Sequence, residues 1–165
     1  MYTHMNSINS ESNKILVQLY WVSSNLSGGL TVHADRMCDT NLCKQVFHFI
    51  KFKKDKKLVK EMVSFIHNLS CIGGIDTLAT LFKLKVIWFI CEILTNYIDE
   101  DILKLTLKLL ISLLEKTNKK EFIIEELSQF NTISKLENMA LSSAISGTLA
   151  EIILRFIKSD RMDDC

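Results

Sequence analysis

Apolar positions recur along this chain at a nearly constant interval. Four markers define it: Asn25, Asn68, Ser112 and Arg155 are separated by 43, 44 and 43 residues. The positions six and three before each marker, and one after it, are apolar except for Thr106. They are Leu19, Val22, Leu26, Met62, Phe65, Leu69, Leu109, Leu113, Leu149, Ile152 and Phe156. Because steps of three and four residues place side chains on one stripe of a helix, we predict four similar helices.

Each interval between markers has room for two further helices separated by short polar breaks. The predicted helices cover residues 13–27, 31–37, 41–52, 57–71, 75–84, 86–97, 101–116, 119–130, 132–140 and 142–158. A helical pattern with a period of ~40–47 residues is typical of armadillo and HEAT repeats, and three helices per period favour armadillo. We therefore predict an all-α fold, a right-handed armadillo-type superhelix (solenoid) of about three and a half repeats. It covers residues 13–158, between a flexible leader at 1–12 and an acidic tail at 159–165.

Composition agrees with a folded helical protein and excludes several function classes. Apolar residues make up 48% of the 165, proline is absent, and the net charge is +1. This charge does not favour nucleic acid or an anionic membrane as a partner. The longest apolar segments are far shorter than the ~20 residues that span a bilayer. The first twelve residues do not resemble a signal peptide, and five cysteines are an odd number, so we expect reduced thiols and a cytoplasmic and nuclear location.

The helix before the first marker carries residues suited to binding an extended peptide. Trp21 and Asn25 are four residues apart and so lie on one face. An asparagine side chain can donate to and accept from a peptide backbone, while tryptophan can hold a lysine stem and its charge. If the third helices line a concave groove, Asn25 and Asn68 face it together. Two alternatives remain: Trp21 packs in a terminal core, or the two amides bind nearby backbone.

These residues resemble the groove helix of the importin-alpha (karyopherin-alpha) family. YWVSSNLSGG is similar to the segment in which Trp and Asn bind nuclear localisation signals, and the similarity covers residues ~13–158. DEDILKLTLKLLISLLEK resembles the penultimate repeat, and the segment from KKEFIIEEL to EIILRFI resembles the last. The resemblance implies an adaptor for nuclear protein import with no cofactor. Its partners would be basic peptide segments of cargo proteins, and importin-beta or an export receptor. The implied peptide-binding residues are Trp21, Asn25, Glu61, Ser64 and Asn68.

The sequence departs from the family at several of these positions. Ser64 stands where the second tryptophan is expected, and Gln18 stands where an acidic residue would match Glu61. The family's basic N-terminal segment and its earlier repeats have no counterpart here, so we expect a truncated or reduced form. The alternative is a generic armadillo scaffold that does not recognise signal peptides.

The remaining motifs favour structural roles. His33, Cys38, Cys43 and His48 are each five residues apart, and five-residue steps turn a helix by ~140°, so they do not predict a metal site. We expect no enzyme, since no phosphate-binding loop or nucleophile motif occurs. The lysine-rich segment 51–60 is interpreted as a solvated turn, with a basic patch as the alternative. Trp88, Cys71 and Cys91 are predicted in the core, and the face around Leu16, Leu19 and Tyr20 is predicted to be bare.

Overall fold

The computed structural model describes residues 2–49 and 55–162, with side chains for 11–48 and 55–159. Within these ranges the chain forms helices and no strand, which confirms the all-α prediction. The helices are α1 (Tyr2–Ser27), α2 (Thr31–Cys38), α3 (Asn41–Phe49), α4 (Lys56–Ile72), α5 (Ile75–Lys83), α6 (Val86–Asn96), α7 (Glu100–Lys116), α8 (Lys120–Gln129), α9 (Thr132–Ala140) and α10 (Ile145–Met162).

Most helix bounds agree with the predicted ones to within one or two residues. The main difference is at α1, which begins at Tyr2, so residues 2–12 are helical where a leader was predicted. That segment contains neither proline nor glycine, so no residue in it interrupts a helix. At the other end, α10 begins at Ile145, after a turn in which the Ala144 N–H donates to Ser142 Oγ at 3.2 Å. The predicted end of the third helix, and residues 163–165 of the acidic tail, lie outside the described residues.

The helices that contain the four markers, α1, α4, α7 and α10, are called the marker helices, and they pack against one another in chain order. Helix α1 packs on α4, α4 on α7, and α7 on α10, while α2 packs on α5, and α6 on α8 and α9. Side-chain hydrogen bonds between these intervals join residues 39 to 46 positions apart, from Gly74 with Asp35 to Ser146 with Glu100. The sequence separation of the contacts therefore matches the period of the sequence pattern. Each stretch of chain between successive markers, called an interval below, packs beside the next one.

The apolar stripe is buried on α4 and α7, which each lie between two other marker helices, whereas it is exposed on α1 and partly exposed on α10. Phe65 on the α4 stripe packs against Tyr20 of α1, with ring centroids 6.1 Å apart. On α1 itself Leu19, Val22 and Leu26 are exposed, and Leu26 is 52% exposed. We call these three side chains the end face. The expectation that Tyr20 is also bare is wrong: it is 1% exposed because α4 covers it, and burial raises its pKa to about 12.

Two helices have their N-terminal ends capped by a carboxylate from the preceding interval. Asp35 on α2 accepts hydrogen bonds from the Gly74 N–H at 3.0 Å and from Thr77 Oγ1 at 2.5 Å, at the start of α5. Glu100 on α7 accepts from the N–H and hydroxyl of Ser146, at 2.9 and 2.8 Å, at the start of α10. The first N–H groups of a helix have no partner inside it. Neighbouring intervals therefore satisfy helix ends as well as burying apolar surface.

We expect Asp35→Ala to lower the free energy of unfolding at pH 7 by about 0.5–2 kcal/mol, the usual cost of a lost N-terminal cap. Thr77, and then the Gly74 N–H, lower the pKa of Asp35. The native state thus favours the carboxylate, and its contribution is present above the ordinary aspartate pKa of about 4. This contribution is lost as the pH falls below that value through the lowered pKa. Urea denaturation of both proteins at pH 7 and pH 3 measures the difference.

Asp39→Ala is the matched control, because Asp39 is an exposed aspartate at the C-terminal end of α2. Its effect should be smaller at pH 7. An Asp35→Ala protein as stable as the wild type at pH 7 contradicts the capping role.

Candidate functional site

A recess between α1 and α4 brings together two of the predicted peptide-binding residues. Val17, Gln18 and Trp21 from α1 and Glu61 from α4 line this Trp21 recess, whose volume is about 310 Å³. The indole of Trp21 is 52% exposed, which excludes the core alternative for this residue. Trp21 and Glu61 are forty positions apart in the sequence, so the packing of one interval on the next brings them together.

The Glu61 carboxylate is partly withdrawn from water. Burial raises its pKa, and the nearby charge of Lys60 offsets part of that effect. The Lys60 ammonium itself lies 2.8 Å from Asp101 on α7. Within the described residues, no hydrogen bond or ion pair is formed by the Glu61 carboxylate. A partly desolvated carboxylate beside an exposed indole face is an arrangement that favours a cation.

Asn68 contacts α1 instead of facing a groove with Asn25. Its Nδ2 donates to the Ser24 carbonyl oxygen at 2.9 Å and to Ser24 Oγ at 3.0 Å. Asn25 is exposed on α1. The Nδ2 group of Asn68 is therefore engaged with α1, and the peptide-binding role of Asn68 stays a prediction. The close packing of the marker helices places Asn68 against the last turns of α1.

The remaining predicted residue, Ser64, is half-buried on α4 and supplies no aromatic surface. The structure thus brings Trp21 and Glu61 together, leaves Asn25 exposed, and places the Asn68 amide against Ser24 of α1. Val17 and Gln18 also line the recess, although neither was predicted as a site residue. Val17 lies four residues before Trp21, so helical spacing was the signal that could have identified it.

The described part of the lysine-rich segment pairs with this chain's own acidic residues. Lys56 lies 3.4 Å from Asp99, and Lys60 lies 2.8 Å from Asp101. Asp99 also caps α7 by accepting from the N–H groups of Asp101 and Ile102. Because these ion pairs are exposed to solvent, they contribute little to stability. Residues 56–60 form the start of α4 and not a connecting turn, so that part of the interpretation is wrong, while residues 51–54 lie outside the described residues.

A second surface, remote in sequence from the Trp21 recess, is rich in aromatic side chains. Phe82, Trp88, Phe122 and Phe130 line a cleft of about 400 Å³ formed by α5, α6 and α8, which we call the aromatic cleft. Lys119 Nζ lies 5.0 Å from the Phe82 ring centroid. Trp88 was predicted in the core; it is half-buried and contributes to this cleft.

Within the described residues, no group of three or more His, Cys, Asp or Glu side chains is arranged to hold a metal ion. None of the helices in these ranges combines the length and apolar character needed to cross a bilayer. No protein-family model matches the chain, and no curated protein matches it.

Proposed function

We propose that this protein is an armadillo-type adaptor that binds an extended basic peptide, with a lysine of the peptide seated in the Trp21 recess. The repeat architecture is supported by the order in which the marker helices pack and by hydrogen bonds that span 39 to 46 residues. The observation that carries the proposal is that Trp21 and Glu61, from successive intervals, line one recess. In an importin-alpha-like role, such peptides would be the localisation signals of nuclear cargo.

A lysine side chain matches both chemical features of the recess. Its aliphatic stem would lie on the exposed indole of Trp21, and its ammonium would approach the Glu61 carboxylate. Burial disfavours the charged form of Glu61, and an ion pair with the peptide ammonium would offset that cost. Arginine could stack in the same way, so the recess selects a cation beside an apolar stem.

The peptide backbone would be held by one asparagine amide and not by the predicted two. The exposed amide of Asn25 lies one helical turn from Trp21 and has a donor and an acceptor to offer. Asn68 is engaged with Ser24 and offers no N–H group. We therefore propose binding that depends mainly on the Trp21 recess and is weaker than binding by two such amides.

We expect Trp21→Ala to weaken binding of a fluorescent lysine-rich peptide by about 2- to 30-fold, corresponding to a cation–π contribution of about 0.5–2 kcal/mol. Glu61→Gln should also weaken binding at pH 7. In the wild type, affinity should fall as the pH is lowered through the raised pKa of Glu61, at a higher pH than for an ordinary glutamate. Glu61→Gln should remove that step. Fluorescence anisotropy at low salt measures each affinity.

Phe130→Ala and Glu137→Gln are matched controls, since both side chains are exposed and lie outside the recess. Neither should change affinity. Equal affinity of the wild type and Trp21→Ala, or no binding at millimolar peptide, rules out the proposal.

The second candidate is a protein-interaction scaffold that uses the aromatic cleft. Phe122 and Phe130 are exposed large aromatic side chains in that cleft, and such residues are enriched at protein interfaces. If Phe122→Ala weakens binding of a partner while Trp21→Ala does not, the scaffold function is favoured.

A further inference from the structure

A cysteine, a histidine and two hydroxyl groups form a cluster where α4 ends against α7. Cys71 Sγ lies 3.5 Å from His67 Nε2 on the same helix, and 3.6 Å from Ser112 Oγ on α7. The Ser70 hydroxyl lies 3.3 Å from Ser112 Oγ. Cys71 and His67 are both half-buried, so the prediction that Cys71 is a core residue is wrong. The α4–α7 contact thus surrounds the thiol of a half-buried cysteine with hydrogen-bonding groups.

Hydrogen bonds around the thiol favour its ionised form. The hydrogen bond with His67 is the largest influence, burial opposes it, and the Ser112 hydrogen bond supports it; together they lower the pKa of the Cys71 thiol to about 7. A helix C-terminus disfavours an anion. Here Lys116 of α7 donates to the Cys71 carbonyl oxygen and brings a cation to that helix end.

The other described cysteines lack this combination. Cys91 on α6 is buried, and burial raises its pKa to about 11. Cys38 and Cys43 are also buried. A thiol that is accessible and ionised near neutral pH reacts much faster than a buried thiol of ordinary pKa.

We propose that Cys71 is an oxidation-sensitive nucleophile that hydrogen peroxide converts to a sulfenic acid, with His67 and Ser112 holding the thiolate. The thiolate sulfur attacks one peroxide oxygen, so an S–O bond forms and the O–O bond breaks. Sulfur loses two electrons, and the peroxide is reduced. The departing hydroxide takes a proton from solvent and leaves as water. The product lies at the α4–α7 contact, independent of the Trp21 recess.

The test is the rate of iodoacetamide labelling of the full chain as a function of pH, with each cysteine quantified in its own peptide. The Cys71 rate should rise with a midpoint near pH 7. His67→Asn should move that midpoint toward the ordinary cysteine value of about 8.5. The thiolate fraction at pH 7 then falls about fifteen-fold. Since a thiolate of higher pKa is intrinsically more reactive, the observed rate should fall about three-fold.

Cys91 is the control within the same molecule: it should remain unlabelled at pH 7 in the native wild type and variant, and react in denaturant. Its protection shows that His67→Asn is folded. Exposure to peroxide with dimedone should then mark the Cys71 peptide in the wild type, and less of it in the variant. A wild-type midpoint at or above pH 8.5, a midpoint unchanged by His67→Asn, or dimedone labelling absent from Cys71 overturns the proposal.

Discussion

Leu69→Ala and Leu113→Ala should each lower the free energy of unfolding by about 2–5 kcal/mol, the usual cost of deleting a buried leucine side chain. Leu26→Ala should change it by less than about 0.5 kcal/mol, as for an exposed position. The three leucines occupy the same position relative to their markers. Leu69 and Leu113 are completely buried, whereas Leu26 belongs to the end face. Urea denaturation at pH 7 measures the differences in the free energy of unfolding. The three variants are compared with the same m-value, the slope of the unfolding free energy against urea concentration.

This comparison isolates the effect of the neighbouring helix, because the residue type and the repeat position are held constant. A loss of 2 kcal/mol or more for Leu26→Ala would indicate that the end face is covered in solution, by self-association or another contact. Sedimentation of the wild type over a concentration series distinguishes these cases. Small losses at Leu69 and Leu113 would contradict the packing of α4 and α7 described here.

Gly147→Ala should destabilise the protein by about 1–3 kcal/mol through overpacking. An added Cβ would overlap the carbonyl oxygen of Ser142 and lie 2.8 Å from that of Met139. Both contacts are with backbone, which cannot rotate away as a side chain can. The turn from α9 to α10 would have to shift, and the hydrogen bonds between Ser146 and Glu100 lie directly beside it. Thermal unfolding followed by circular dichroism measures the loss.

Gly29→Ala provides the comparison, because its nearest contact would be the Leu26 carbonyl oxygen at an ordinary 3.7 Å. Neither glycine has a positive φ, so backbone strain does not separate the two. Gly29→Ala should be neutral or slightly stabilising, since alanine restricts the unfolded chain. If both variants are equally stable, the close approach at Gly147 is not a structural constraint.

Helix positions were largely predictable from this sequence, because local spacing determines which side chains share a helix face. The start of α9 at Thr132 and the end of α1 at Ser27 fall at their predicted positions. Asp99 is the N-terminal cap of α7, which begins one residue before the predicted start at 101. These features depend on neighbours within a few residues. The N-terminal start of α1 at Tyr2 was not predicted, because residues 2–12 show no apolar periodicity.

The roles of individual polar residues were harder to predict, because they depend on partners about forty positions away. Asn68 resembles Asn25 in local sequence, yet one is bound to Ser24 and the other is exposed. Asn68 lies against α1, a contact that local sequence does not reveal. Cys71 was likewise expected in the core, and its environment depends on Ser112 and Lys116 from the next interval.

Residues of one interval cap helices of the next, and this affects how the protein unfolds on heating. An isolated interval would expose its apolar stripe and also lose the carboxylate that caps one of its helices, such as Asp35 for α5 or Glu100 for α10. Each interval is therefore a poor folding unit by itself, and adjoining intervals reinforce one another. Heating should produce a single concerted transition across the array, with any early fraying confined to its two outermost helices.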